Sequence, residues 1–203
     1  IAAGLLVRSF AASLAVNPGF DSRKHVATFY MVPGLKGYNA AGTYQFFEAA
    51  RRGAETIPGV SRASYGIRLP AQGNEAGWAA SFTIPGKEPP PGKDAFEIRY
   101  TMVGPGYFEV MGTRILTGRG IVEADATGGA PVAVISQSMA HKLWPGESPI
   151  GRRIRMARAR PVDHEIVGVA EDIRIGGLYE APEMYVYVPY AQHPQGFGLL
   201  LVE

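Results

Sequence analysis

The 203-residue chain carries 26 glycines and 16 prolines, about a fifth of the sequence against roughly 12% in an average soluble protein, while 46% of its residues are apolar. That balance excludes a collagen-like repeat and a wholly disordered chain, and it predicts short elements with many turns rather than a bundle of long helices. A net charge of +2 is too small to imply nucleic acid or a membrane surface as partner, and the absence of cysteine excludes a disulfide scaffold and any thiolate metal site.

The chain opens on a short apolar run, residues 1–7 (IAAGLLV), followed by Arg8. It is below the length that crosses a bilayer, and it reads equally as the last two turns of a spanning helix with its anchoring arginine or as an ordinary apolar helix. With no initiating Met, the sequence is expected to be a fragment. Asn17-Pro18-Gly19 makes a turn, and residues 25–32 (HVATFYMV), rich in β-branched and aromatic side chains, predict a buried strand. Residues 41–57 predict a helix with Tyr44, Phe47, Ala50, Ala54 and Ile57 on its apolar face and Arg51, Arg52 and Glu55 on the other, stopped by Pro58-Gly59. Alternation then sets Ala63, Tyr65, Ile67 and Leu69 against Arg62, Ser64 and Arg68, so the chain begins as β-α-β.

The remainder predicts short strands. Trp78, Ala80, Phe82 and Ile84 alternate, a proline-rich loop covers residues 85–92, and Phe96, Ile98, Tyr100 and Met102 alternate again. A short helix is expected over residues 107–111, a strand over 114–116 and a surface loop over 120–130. Residues 131–135 (PVAVI) predict a buried strand, Ser136 a helix N-cap, and residues 138–144 a helix ended by Pro145-Gly146. Further strands follow at 153–156, 165–169, 184–188 and 199–202. The order is that of an α+β protein with a β-rich insert after a β-α-β start.

Enzyme signatures fail. The nearest approach to a phosphate loop, Gly86 to Lys93, has five residues between its glycines, Asp94 in the place of the Mg²⁺-binding Ser/Thr, and prolines where N–H donors are needed. His164-Glu165 begins like a zinc-protease helix, but Gly168 occupies the second ligand position. His25, His141, His164 and His193 are scattered, and no nucleophile elbow is present. The pairs Glu123/Asp125, Glu171/Asp172 and Glu180/Glu183 offer two carboxylates each, all in or beside predicted loops, where solvated charge is the ordinary explanation. No catalytic residue, cofactor or metal site is therefore assigned.

One cluster stands apart. Arg152, Arg153, Arg155, Arg158 and Arg160 place five positive charges in nine residues and leave the rest of the chain at −3. An anion-binding module is one reading; the other is a hairpin edge whose arginines deter strand pairing and bond acids such as Asp163 or Glu165. The absence of interleaved aromatics favours the second.

Several stretches, taken in order, resemble the MacB/FtsX-type ABC-transporter permeases. They are residues 4–10 (GLLVRSF), 17–21 (NPGFD), 57–60 (IPGV) with Leu69-Pro70, and 103–125 (VGPGYFEVMGTRILTGRGIVEAD). Residues 131–156 (PVAVISQSMAHKLWPGESPIGRRIRM), 164–178 (HEIVGVAEDIRIGGL) and 183–192 (EMYVYVPYAQ) continue the series. The most specific pieces are PGYF-x-x-MG-x-x-x-LTGR and WPGE-x-PIGRRIR, and the subgroup most similar is the duplicated orphan permeases. The resemblance implies a non-catalytic periplasmic domain that follows a first membrane helix ending within residues 1–22. A porter-like lobe is expected from residues 23–84 with 184–203, and an inserted, mostly β lobe from 85–183. By the same resemblance, the second helix and last strand that relatives carry in the porter lobe are expected to be missing from residues 1–203. It further implies a cytoplasmic ATPase subunit acting through the membrane helices, a periplasmic adaptor, a permease dimer, and placement at the inner membrane with this domain outside. A soluble hydrolase assembled from scattered Asp, Glu and His, and an anion-binding module on the arginine cluster, are the alternatives.

Overall fold

A computed structural model describes residues 18–21, 23–69, 77–126, 128–157, 161–174 and 181–203. The expected helix within residues 1–22 lies outside these residues, apart from the turn that follows it. Ten strands and three α-helices are formed. In chain order they are β1 (Ala27–Met31), α1 (Ala40–Glu55), β2 (Ala63–Gly66), β3 (Trp78–Thr83), β4 (Phe96–Val103), α2 (Tyr107–Met111), β5 (Ile115–Gly118) and β6 (Val132–Ser136), then α3 (Gln137–Leu143), β7 (Arg153–Met156), β8 (Val162–Ala170), β9 (Tyr185–Pro189) and β10 (Gly198–Val202). The fold is α+β, as the element order predicted.

The strands form one mixed sheet in the order β1-β10-β2-β4-β3-β7-β8-β6-β9, and β9 also pairs with β4. That last pairing, parallel from Arg99↔Tyr185 to Val103↔Pro189, closes β4, β3, β7, β8, β6 and β9 on themselves as a barrel. Alternation explains how it is filled. Phe96, Ile98, Tyr100 and Met102 of β4, Ile154 and Met156 of β7, Ala133 and Ile135 of β6, and Val186 and Val188 of β9 all belong to one buried cluster. The residues between them on β6 and β9, Val134, Tyr185 and Tyr187, are buried too, in a second cluster with α2, β10 and Ile173. These central strands are apolar on both faces because they are covered on both faces.

The strands β1, β10 and β2 extend this sheet from the far end of β4, where Gly66 pairs with Val103. Helix α1 packs against β10 and β2, and α2 packs against β2 as well. Residue Ser64, expected on a polar face, is therefore buried, and its hydroxyl donates to the Pro105 carbonyl at 2.8 Å. The buried strand expected at 25–32 is instead an exposed edge, with Phe29 52% and Tyr30 64% exposed. It pairs with β10 alone among the described strands, so its composition reflects strand propensity rather than burial. Two expectations for α1 also change. Ile57 lies past the helix end and is exposed, whereas Arg51, expected on the polar side, is buried.

Where β5 crosses β8 the backbones nearly touch. A Cβ on Gly168 would sit 2.0 Å from the Arg119 carbonyl oxygen, so only glycine fits there.

Candidate functional site

The residues that sequence patterns raised as chemistry prove to be ties between elements. Residue Asp125 is buried and accepts two bonds from Arg119, at 2.7 and 2.9 Å, and one from the Val122 N–H. Its neighbour Glu123 accepts from Arg51 of α1. Residue Glu171 takes a bidentate contact from Arg114, and Asp172 accepts from the Ser138 N–H at 2.8 Å and hydroxyl at 2.6 Å, satisfying the first turn of α3. The pairing of Glu183 is with Arg99, at 3.4 Å. Glu180 lies outside the described residues.

The arginine cluster divides similarly. Arg155 bonds Asp163 through two contacts of 2.6 and 2.8 Å, and this hydrogen-bonded cation holds the Asp163 carboxyl below its usual range. Arg152 pairs with Glu147, and Arg153 stands opposite Glu165 in the β7–β8 register. Ile154 and Met156 point into the core while Arg153 and Arg155 point out, as alternation required. However, β7 lies between β3 and β8, so the arginines do not guard a sheet edge. Arg158 and Arg160 lie outside the described residues.

Two histidines meet. His164, with no solvent exposure, and His193, at 9%, bring their Nε2 atoms within 2.9 Å, which requires one ring to donate and the other to accept. Sequence spacing hid this, since 29 residues separate them. His25 and His141 are exposed and lie on separate elements. Among the described residues no group of three or more His, Cys, Asp or Glu is placed to hold a metal ion.

The densest charged arrangement centres on Arg51, whose side chain is 8% exposed. Its Nη2 bonds Glu48 at 3.1 Å and Glu123 at 2.5 Å, and its Nη1 bonds Glu55 at 3.1 Å. The Tyr65 hydroxyl donates to Glu48 at 2.9 Å, and the Ala63 N–H donates to Glu55 at 3.3 Å. One cation thus joins α1, β2 and the 120–130 loop. Burial by itself would make Arg51 easier to deprotonate; the hydrogen bond and charge of Glu48, with Glu55 and Glu123, reverse this and raise its pKa. Burial likewise opposes ionisation of Glu48, but bonds from Arg51 and Tyr65 outweigh it and lower the carboxyl below its ordinary value. Burial, followed by the charge of Glu48, pushes the Tyr65 phenol far up.

The turn after the expected N-terminal helix is also tied down. The Pro18 carbonyl accepts from the Arg174 N–H at 3.0 Å, the Gly19 carbonyl from the Thr113 hydroxyl at 2.9 Å, and the Asp21 N–H donates to the Met111 carbonyl at 3.1 Å. Lys24 Nζ reaches the Glu109 carbonyl at 2.7 Å and Glu203 at 2.6 Å.

These ties occur in a chain whose residues 4–200 match the MacB-like periplasmic core domain family. The chain belongs to that family. It is the periplasmic domain of a MacB-like ABC transporter permease, which places it on the extracytoplasmic side of the membrane. Among its described residues no helix is long and apolar enough to cross a membrane.

Relatives of this MacB-like domain are longer proteins. It is 32% identical over 96 residues to a Bacillus subtilis (strain 168) protein described as an uncharacterized ABC transporter permease, YknZ, covering 47% of this chain and 23% of that one. It is 30% identical over 88 residues to the macrolide export ATP-binding/permease protein MacB of Mannheimia succiniciproducens, covering 43% and 13% respectively. The matched segments therefore span less than a quarter of these curated relatives. Solved structures share the fold. The periplasmic region of MacB from Actinobacillus actinomycetemcomitans superimposes with a TM-score of 0.55 at 16% identity, over 77% of this chain and 63% of that chain. The extracellular domain of the YknZ transporter from Gram-positive bacteria gives 0.52 at 20% identity, over 87% and 81%.

Proposed function

We propose that this domain is a non-catalytic coupling element. ATP hydrolysed by a cytoplasmic ATPase drives the membrane helices of a dimeric permease in the inner membrane. The domain carries that movement outward to an adaptor protein or an exported substrate. The observation that supports the reading most is the use of charge. Several of the charged contacts join elements far apart in sequence, as Arg51 with Glu123, 72 residues apart, and Arg114 with Glu171, 57 apart, illustrate. Such ties suit a body that bears load.

The division into a porter-like lobe of residues 23–84 with 184–203 and a β-rich insert of 85–183 is part of the same proposal. Strand β4 pairs with β3 and with β9, so main-chain bonds run across both boundaries, and Arg51–Glu123 adds an ionic tie between the lobes. The two lobes then travel together rather than hinging freely.

The test uses the full-length permease with its ATPase. A spin label introduced by Glu88→Cys, in a background whose cysteines outside this cysteine-free sequence are replaced, marks the exposed β3–β4 loop once per copy of the domain. The distance between the two labels should shift when ATP is trapped with vanadate. A distance distribution identical in apo, ATP-trapped and ADP states would contradict the proposal.

A further inference from the structure

Three features lie outside the ionic centre. The exposed aromatic edge of β1 shows nothing that covers it, and the histidine pair is almost wholly buried. The third is the docked turn at residues 18–21.

Residue Gly19 adopts φ +84°, and a Cβ there would lie 2.0 Å from the Asp172 carbonyl oxygen and 2.6 Å from Ile173 Cα. Chain entering the domain therefore rests directly on the backbone that leaves β8. The carboxylate of that same Asp172 holds the N–H and hydroxyl of Ser138, in the first turn of α3. The first turn has a second holder: Ser136 Oγ accepts from the Met139 N–H at 3.3 Å and from the Tyr185 N–H at 3.0 Å. Helix α3 is flanked by surface cavities on two sides. Ser138 and Lys142 line one of about 480 Å³ with Glu97 and Arg99, and Ala140 and His141 line one of about 350 Å³ with Leu116 and Trp144. A shift of α3 by even a small amount changes both, since neither wall is filled against it.

We propose that Gly19, Asp172 and Ser138 form a relay through which displacement of the chain entering at Pro18 repositions α3 and reshapes the two cavities beside it. The relay rests on the coupling function proposed above and names its path inside the domain. Its physical basis is contact without slack. Backbone touches backbone at Gly19, and the carboxylate of the same Asp172 holds the start of α3 through two charge-assisted bonds from Ser138. Met111 and Thr113 grip the other side of the turn, so displacement at Pro18 cannot be absorbed by the turn sliding over α2.

The experiment places an environment-sensitive fluorophore on α3 through His141→Cys in the full-length permease, alongside the Glu88→Cys distance measurement. The expected result is a fluorescence change on ATP trapping that is lost in Asp172→Ala and reduced in Ser138→Ala, while the Glu88→Cys distances still shift in both. Melting of each variant guards against misfolding, and Ser138→Ala, which keeps the main-chain bond, gives the answer where Asp172→Ala fails to fold. An α3 signal unchanged in both variants overturns the relay. So does a shift in the Glu88→Cys distance with no α3 signal in the parent protein, a result that leaves the coupling function standing. If neither reporter responds, both proposals fall.

Discussion

At the scale of single residues, Arg51 is, with Asp125, one of two buried Asp, Glu, Lys or Arg side chains among the described residues. Its removal leaves Glu48, Glu55 and Glu123 converging without their shared cation. Arg51→Ala should destabilise the domain by about 2 kcal/mol or more, short of the 3–5 seen for fully buried pairs because Glu55 and Glu123 reach solvent. Chemical denaturation measures this, and a loss no larger than that of an exposed Arg52→Ala control would show the network to be inert. The pH dependence follows from Glu48. Its folded-state pKa is lowered from a reference of 4.5, so its contribution is complete above that value and is lost as pH falls below it through the folded pKa. Stability should decline on the acid side, and Glu48→Gln should flatten that decline; parallel profiles would remove Glu48 as the cause. At the histidine pair, His193→Ala removes the bond to His164 in a buried setting and should cost about 1–3 kcal/mol. None of these partnerships was legible in the sequence. Local alternation put Arg51 on a solvated face because the loop that covers it returns only after four intervening strands and a helix.

At the scale of elements, the sequence was most legible where one pattern decides the outcome. Residues 107–111 form the short helix expected, ended by Gly112 in the left-handed region, and Ser136 caps α3 as its position before the helix implied. The strand at 132–136 is buried throughout, as its unbroken apolar run required. Elements whose burial depends on distant partners were read less well. Strand β1 has the composition of a core strand but lies at an edge, and β7 carries paired arginines inside the sheet rather than on its rim. Strand β8 is longer than its apolar stretch because Val162 to His164 pair with β7. The β5–β8 crossing gives a test at this scale. Gly168→Ala sets a Cβ against the Arg119 carbonyl and should cost about 1–3 kcal/mol, the usual range for forcing atoms into a packed site. Unchanged thermal stability would mean that β5 is free to move away from β8.

For the whole molecule, barrel closure through β4 and β9 was beyond sequence reading, since strand order within a sheet is set by pairings that composition does not encode. The α+β class and the MacB-like family were readable because motifs occur in collinear order along nearly the entire chain. On the coupling function proposed above, the closed barrel, the charged ties and the docked turn at residues 18–21 move as one body. Hydrogen–deuterium exchange of the full-length permease, with and without trapped ATP, tests this most directly. The account predicts unchanged protection in the barrel strands β4, β6, β7 and β9, with altered exchange at residues 18–24, 107–113 and 137–143. Exchange that is the same throughout the domain in every nucleotide state would contradict it.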